Sequence, residues 1–164
     1  MAKAFFGENY YLLTDALMSS KEASRIMKEE KNNQRVFKMF DHVTISVSGI
    51  GSFYPTEESV LASPDFMSTE DLEMLKQENV SGDIALRFFD HDGQECNTTL
   101  KERMISISME QFKKIDRKIS LVSGVSKANA VLSALKGGLV GVLILDSNLA
   151  EALLKLSEDM SSQE

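Results

Sequence analysis

The sequence predicts an α/β protein in which a largely parallel sheet is flanked by helices. Its 164 residues are enough for one domain with a hydrophobic core. Helical and strand patterns alternate along the chain, and they are clearest in the last third. There, one strand pattern is followed by a helix and a second strand, the order of a βαβ unit. We therefore treat residues 1–164 as a single domain.

Composition and charge limit the functions open to the chain. Lysine and arginine total 18 against 25 acidic residues, a net charge of −7 that argues against nucleic-acid binding by this chain alone. Cys96 is the only cysteine, which excludes an internal disulfide and fits a reducing compartment. The longest apolar run, at 139–145, is far shorter than the ~20 residues of a membrane helix, and the N-terminus lacks a signal-peptide pattern. These features predict a cytoplasmic protein outside the membrane.

Two helices are predicted near the N-terminus. Ser19 stands three residues before Glu22, the spacing of a capping box, and predicts a helix over 20–30. Apolar residues recur at helical spacing after Asn32 and predict a second helix over 32–41.

The next pattern belongs to a strand that runs into a glycine-rich loop. Val43, Ile45 and Val47 alternate with polar residues, which is typical of a half-buried strand. The Gly49-Ile50-Gly51 segment that follows predicts a turn, because glycine accepts backbone angles that other residues avoid.

The middle of the chain predicts one helix, one strand and a turn. Ser68 precedes Asp71 by three residues and predicts a helix over 68–79. The segment 83–90 reads as one strand, and Asp92-Gly93 is a turn signal that could return it as a hairpin.

The last third reads as a βαβ unit over 118–146. A β-rich run at 118–124 leads into a helical pattern at 126–136, which Gly137 and Gly138 end. The segment 139–146 is then a continuous apolar strand, and the crossover is expected to be right-handed. A closing helix starts at Asp146 or Ser147 and is expected to pack four leucines: Leu149, Leu153, Leu154 and Leu156.

The segment "LVSGVSK" at 121–127 places a glycine, a serine and a lysine between a strand and a helix. With Gly124 at the carboxyl end of the strand and Ser126 at the N-cap, free backbone N–H groups would favour an anion there. Lys127 would add a full positive charge where the helix dipole alone disfavours a cation. An anion, most simply a phosphate, would explain the arrangement. The alternative is that Gly124 only turns the chain and Lys127 is solvated.

Other reactive residues give weaker signals. His42 and His91 are the only histidines, and their spacing fits no standard metal site, so we predict neither a metal nor a cofactor. Cys96 has no basic neighbour in sequence that would activate it. Asp83 reads either as a functional carboxylate or as a residue of a turn at the start of a strand.

Several segments together resemble the effector-binding domain of the SorC family of bacterial sugar-responsive transcription regulators. They are "VSGIGS" at 47–52, "SGDIALRFFDHDGQ" at 81–94 and the stretch from "ISISMEQFKK" at 105 to "EALL" at 154. The resemblance runs from near Ala4 to about Leu156. It implies a fold similar to the sugar-phosphate isomerase and CoA-transferase-like group, and a ligand-binding rather than a catalytic module.

The resemblance also implies roles for individual residues. Ser123, Gly124, Val125, Ser126 and Lys127 match the loop and lysine that grip the phosphate of a phosphorylated sugar. Asp83 matches an acidic residue that faces sugar hydroxyls, and Gly49, Ile50 and Gly51 match a loop that lines the pocket. Two positions depart from the family pattern: Val125 replaces a second glycine, and Leu145 replaces a threonine.

Full-length members of the family carry a helix-turn-helix domain and a first effector-domain segment, and the resemblance begins after both. We therefore expect a partial effector-binding domain with a short flexible tail at about 158–164. The expected partners are a phosphorylated sugar and further copies of the chain, as a dimer or tetramer. The alternative function is a sugar-phosphate isomerase or deaminase, for which Asp83 is the only candidate base.

Overall fold

Strands of the protein form two small sheets in a computed structural model that describes residues 2–55 and 59–161. The parallel sheet has the order β1-β5-β6, with bounds Ile45–Ser48, Arg117–Val122 and Val142–Leu145. The antiparallel sheet has the order β2-β3-β4, with bounds Ile50–Ser52, Gly82–Ile84 and Arg87–Phe89. The predicted α/β class with a helix-flanked parallel sheet is thus confirmed, and an antiparallel sheet accompanies it.

The two N-terminal helices are confirmed as α1, Lys21–Glu29, and α2, Lys31–Phe40. The predicted cap of α1 is wrong by one residue, because Ser20 and not Ser19 accepts the hydrogen bond from the backbone N–H of Ala23. Ser19 and Ser20 could each cap a helix, with the helix start shifted by one residue. The helix begins at Lys21, so Ser20 is the cap.

Strand β1 is confirmed, but the turn predicted at Gly49-Ile50-Gly51 is wrong. Only Gly49 separates β1 from β2, and Ile50 and Gly51 belong to β2. Ile50 pairs with Ile84 across the antiparallel sheet and is 2% exposed. Burial of Ile50 and ladder hydrogen bonds to β3 stabilise an extended backbone that the local glycine signal does not anticipate.

The single strand predicted over 83–90 is also wrong, because the segment is a hairpin. Ala85 and Leu86 connect β3 to β4 with positive φ angles of 50° and 64°. These are the signs of a primed two-residue hairpin turn, which usually carries glycine or asparagine. The predicted Asp92-Gly93 turn is confirmed: Gly93 has a φ of 69°, and an antiparallel bridge joins Phe89 to Glu95.

Among the described residues, three α-helices lie between the first strand of the antiparallel sheet and β5. The predicted helix at 68–79 is α3, Thr69–Gln77, and Ser68 caps it by accepting from the N–H of Asp71. Two short helices were not predicted: α4, Leu100–Arg103, and α5, Met109–Lys113.

The βαβ unit is confirmed. After β5 the chain makes a 3-10 turn, Val125–Lys127, continues as α6, Ala128–Lys136, and returns as β6 parallel to β5. Gly137 caps α6, and Gly138 follows with a φ of 67°, in agreement with the predicted stop.

The closing helix α7, Ser147–Ser161, packs most of its predicted leucines. Leu149 is fully buried, and Leu153 and Leu156 pack on the core, but Leu154 is 63% exposed, so its predicted burial is wrong. The helix continues to Ser161 where a flexible tail from about 158 was expected, and residues 162–164 lie outside the described part of the chain. Among the described residues, no helix has the length and hydropathy needed to cross a membrane.

The parallel sheet buries one of its faces. Val122, Leu143 and Leu145 contribute to a core shared with α6, α7 and the antiparallel sheet. The opposite face, here called the bare sheet face, carries five apolar residues that are between 43% and 66% exposed: Ile45, Val47, Leu121, Val142 and Ile144. Ile119 lies among them, and the exposed Arg117, paired with Ile45, lies on the same face. The alternation of strand side chains thus presents an apolar surface to solvent on one side of the sheet.

Candidate functional site

A cleft of about 420 Å³ lies beside the antiparallel sheet, close to the carboxyl end of β1. Its walls include five of the nine residues to which the family resemblance assigns a role in ligand binding: Gly49, Ile50, Gly51, Asp83 and Lys127. They come from three separate parts of the sequence and meet because β2 pairs with β3 and the turn after β5 lies against β2. The structure therefore brings most of the predicted site together.

The other four residues, Ser123, Gly124, Val125 and Ser126, precede Lys127 but do not line this cleft. The prediction that Ser126 is the N-cap of the following helix is wrong, because a 3-10 turn intervenes and Lys127 holds the N-cap position of α6. Gly124 has a positive φ of 105°, a backbone conformation that glycine adopts without steric cost. Val125 is 52% exposed.

The backbone N–H of Gly124 already binds an anionic group of the chain itself. It donates to Asp146 Oδ2 at 2.9 Å, while Asp146 Oδ1 accepts from the N–H of Leu149 at 3.0 Å. The hydrogen bonds from Gly124 and then Leu149 lower the pKa of Asp146, so its carboxylate remains charged. Asp146 thereby ties the end of β5 to the start of α7.

Asp83 is the buried carboxyl of the cleft. It lies in β3 between Gly51 of β2 and Phe88 of β4, and it is 8% exposed. The Ser59 hydroxyl donates to Asp83 Oδ1 at 2.5 Å. Burial raises the pKa of Asp83 to about 6, although the Ser59 hydrogen bond and the positive charge of Lys127 act in the opposite direction. The carboxyl therefore changes its charge just below neutral pH.

Gly51 leaves the space that Asp83 and Ser59 occupy. A Cβ at Gly51 would lie 2.0 Å from Asp83 Oδ1 and 2.6 Å from Ser59 Oγ, far inside van der Waals contact. The absence of a side chain at this position is therefore a requirement of the site rather than of a turn.

Ser59 was missed by the sequence reasoning. Its local signal is weak: its hydroxyl accepts from the N–H of Leu61 at the start of a 3-10 segment, Val60–Ala62. Its link to Asp83 spans 24 residues and depends on the fold.

Lys127 supplies the positive charge of the cleft. It is half-buried, and among the described residues that line the cleft it is the only cation, while Asp83 is the only acid. Apolar groups such as Ile50 and Phe66 form much of the remaining wall. A cation, a carboxyl and a hydroxyl in one apolar-walled cleft can bind a small molecule that carries both hydroxyl groups and negative charge.

Comparisons with known proteins show to which protein family the chain belongs. Residues 1–155 match the family model Sugar-bind, described as "Putative sugar-binding domain", and the chain belongs to this family. It is 27% identical over 153 residues to the deoxyribonucleoside regulator of Bacillus subtilis strain 168, covering 93% of this chain and 48% of that protein.

Solved structures agree. A DeoR family transcriptional regulator from Listeria monocytogenes matches with a TM-score of 0.84 and 29% identity, over 93% of this chain and 61% of that one. The full-length sorbitol operon regulator SorC from Klebsiella pneumoniae matches with a TM-score of 0.83 and 25% identity, over 93% and 49%. The resemblance to SorC-type regulators is thereby confirmed.

The chain spans about half the length of the curated regulator from Bacillus subtilis. These relatives are named as transcriptional regulators, in agreement with the prediction of a non-catalytic module.

Proposed function

We propose that the chain is the ligand-binding module of a sugar-responsive transcriptional regulator, and that its ligand is a phosphorylated sugar. The observation that carries this proposal is that Lys127 and Asp83 line the same cleft of about 420 Å³. That volume lies within the roughly 300–1,000 Å³ of small-molecule sites. The family membership supports the sugar, and the cation of Lys127 supports its phosphate.

The two charged residues would bind different parts of the ligand. The ammonium of Lys127 would form charge-assisted hydrogen bonds with phosphate oxygens. Asp83 would accept hydrogen bonds from sugar hydroxyls, and the backbone of Gly49, Ile50 and Gly51 would border the sugar. Gly124, Val125 and Ser126 stay in the proposal as the loop that leads to Lys127.

Binding would be read out through a conformational or oligomeric equilibrium. We propose that copies of this chain associate through the bare sheet face, because burying its apolar side chains removes them from water. We also propose that the protein works in the cytoplasm and that this chain alone does not bind DNA specifically.

The alternative is a sugar-phosphate isomerase or deaminase. The raised pKa of Asp83, about 6, favours it, because a general base is most effective when its pKa lies near the working pH. Incubation with a panel of sugar phosphates, followed by NMR, distinguishes the two: slow or absent turnover with measurable binding supports the regulator, and conversion of the sugar supports the enzyme.

Calorimetry with phosphosugars at millimolar concentration tests the proposal. Charge-assisted hydrogen bonds contribute on the order of 1.5 to 3 kcal/mol, so Lys127→Ala should weaken phosphosugar binding roughly 10- to 150-fold. Lys136→Ala, at the exposed far end of the same helix, is the matched control and should bind as the unaltered protein does. Equal affinity of Lys127→Ala and unaltered protein would overturn the phosphate assignment.

A further inference from the structure

We propose that Ser59 is a positioning residue that holds the carboxyl of Asp83 in one orientation and so determines which sugar hydroxyls the cleft accepts. The inference rests on the proposed function. It concerns a residue that lies outside the segments whose patterns indicated the site.

The hydroxyl of Ser59 has its own orientation fixed by the backbone. Its oxygen accepts from the N–H of Leu61 at 3.2 Å, and its backbone N–H donates to the carbonyl of Ser52 at 3.0 Å. Because the oxygen accepts a hydrogen bond from Leu61 on one side, the hydroxyl donates on the other side to Asp83 Oδ1, with 2.5 Å between the two oxygens. The result is a directed chain from Leu61 through Ser59 to Asp83.

The hydrogen bond also limits the rotation of the carboxyl. Ser59 and Asp83 are each 8% exposed, so water competes poorly for either group. The bond fixes Oδ1 toward Ser59, and we expect a sugar hydroxyl to meet the carboxyl through Oδ2, the oxygen that Ser59 does not engage. A fixed acceptor discriminates between hydroxyl stereoisomers, whereas a freely rotating carboxyl accepts from either direction.

Ser59 also influences the charge of Asp83. The neighbouring strands place Gly51 and Phe88 beside it, which carry no charge, and Lys127 is the cation that acts on it from the turn after β5. Burial raises the pKa of Asp83, and the Ser59 bond lowers it. Loss of the hydroxyl should therefore raise the pKa further, so that Asp83 becomes neutral at a higher pH.

Three variants of Ser59 distinguish a role in positioning the Asp83 carboxyl from a role in packing alone. Ser59→Ala removes the hydroxyl, Ser59→Cys keeps the approximate shape with a weak donor, and Ser59→Thr retains the hydroxyl and is the rescue variant. The first readout needs no sugar: carbon-13 NMR of the Asp83 carboxyl against pH, assigned with Asp83→Asn. We expect the midpoint to rise in the Ala and Cys variants and to stay near the unaltered value in the Thr variant.

The second readout is specificity. Dissociation constants are measured for two phosphosugars that differ at one hydroxyl centre, and for inorganic phosphate. Loss of one hydrogen bond of about 1 kcal/mol predicts that the preference between the two sugars falls about fivefold in Ser59→Ala, with phosphate affinity unchanged.

The two measurements test the proposed function and the role of Ser59 separately. If no phosphosugar binds the unaltered protein, the proposed function fails, while the carboxyl titration still decides whether Ser59 acts on Asp83. An unchanged midpoint in both Ser59→Ala and Ser59→Cys overturns the inference even where sugars bind. Equal weakening of both sugars and of phosphate also overturns it, because that result indicates a purely structural role.

Discussion

Replacing Asp83 with asparagine should stabilise the protein at neutral pH and lose this effect in acid. Asparagine has nearly the same shape and its carbonyl can still accept from Ser59, but it carries no charge. The raised pKa of Asp83 means that burial opposes the ionised form. The folded protein therefore holds this proton more tightly than the unfolded chain does.

The size of the effect follows from the two pKa values. The ordinary aspartate value is 3.8, and that of Asp83 is about 6. At 1.36 kcal/mol per pKa unit, ionisation of Asp83 lowers the free energy of unfolding by about 3 kcal/mol near pH 7.5, but by only about 1 kcal/mol near pH 4.5. The stabilisation that the protonated Asp83 provides is fully present at pH values below the pKa of the unfolded chain, 3.8. It is lost as the pH rises through the pKa of the folded protein, about 6.

Denaturant unfolding of both proteins at the two pH values measures this difference. The advantage of Asp83→Asn over the unaltered protein should be about 2 kcal/mol larger near pH 7.5 than near pH 4.5. Asp159→Asn, at an exposed carboxylate of α7, is the control and should show no comparable change. A difference for Asp83→Asn that is the same at both pH values would refute the reasoning from burial.

Three further results are expected. Gly51→Ala should destabilise the protein by about 1–3 kcal/mol in denaturant unfolding, because its Cβ would meet Asp83 Oδ1 at 2.0 Å. Gly49→Ala should be nearly neutral, since its Cβ would have no closer neighbour than the Leu121 carbonyl at 3.8 Å, and similar losses at both glycines would contradict the steric argument. Val47→Lys, on the bare sheet face, should weaken self-association in sedimentation at several concentrations, and a monodisperse monomer of the unaltered chain throughout would remove the basis for that face as an interface. This acidic chain should give no sequence-specific gel shift with promoter DNA at physiological salt, and a salt-resistant, sequence-dependent shift would contradict this expectation.

Local patterns determined the elements whose hydrogen bonds close within a few residues. The cap of α3 at Ser68, the stop of α6 at Gly137 and the turn at Gly93 are all formed by neighbours in sequence. The βαβ unit was also predictable, because a parallel pair needs a crossover and the helical and strand periods differ clearly there.

Tertiary contacts overrode the local signals elsewhere. Ile50 follows a glycine that suggests a turn, yet it becomes part of a strand because Ile84 pairs with it and buries it. Ala85 and Leu86 adopt positive φ angles without glycine, because β3 and β4 pair on either side of them. In both places, long-range pairing outweighs the preference of the individual residues.

For the candidate site, the sequence and its family resemblance singled out the two charged residues, Lys127 and Asp83, that line one cleft in the structure. Only the tertiary structure decided that Gly51 makes room for a buried carboxyl and that Ser59 holds it. It also decided that the N–H of Gly124 is occupied by Asp146. The physical reason is that these contacts join groups far apart in sequence, and no periodicity or cap within one segment records how two segments meet.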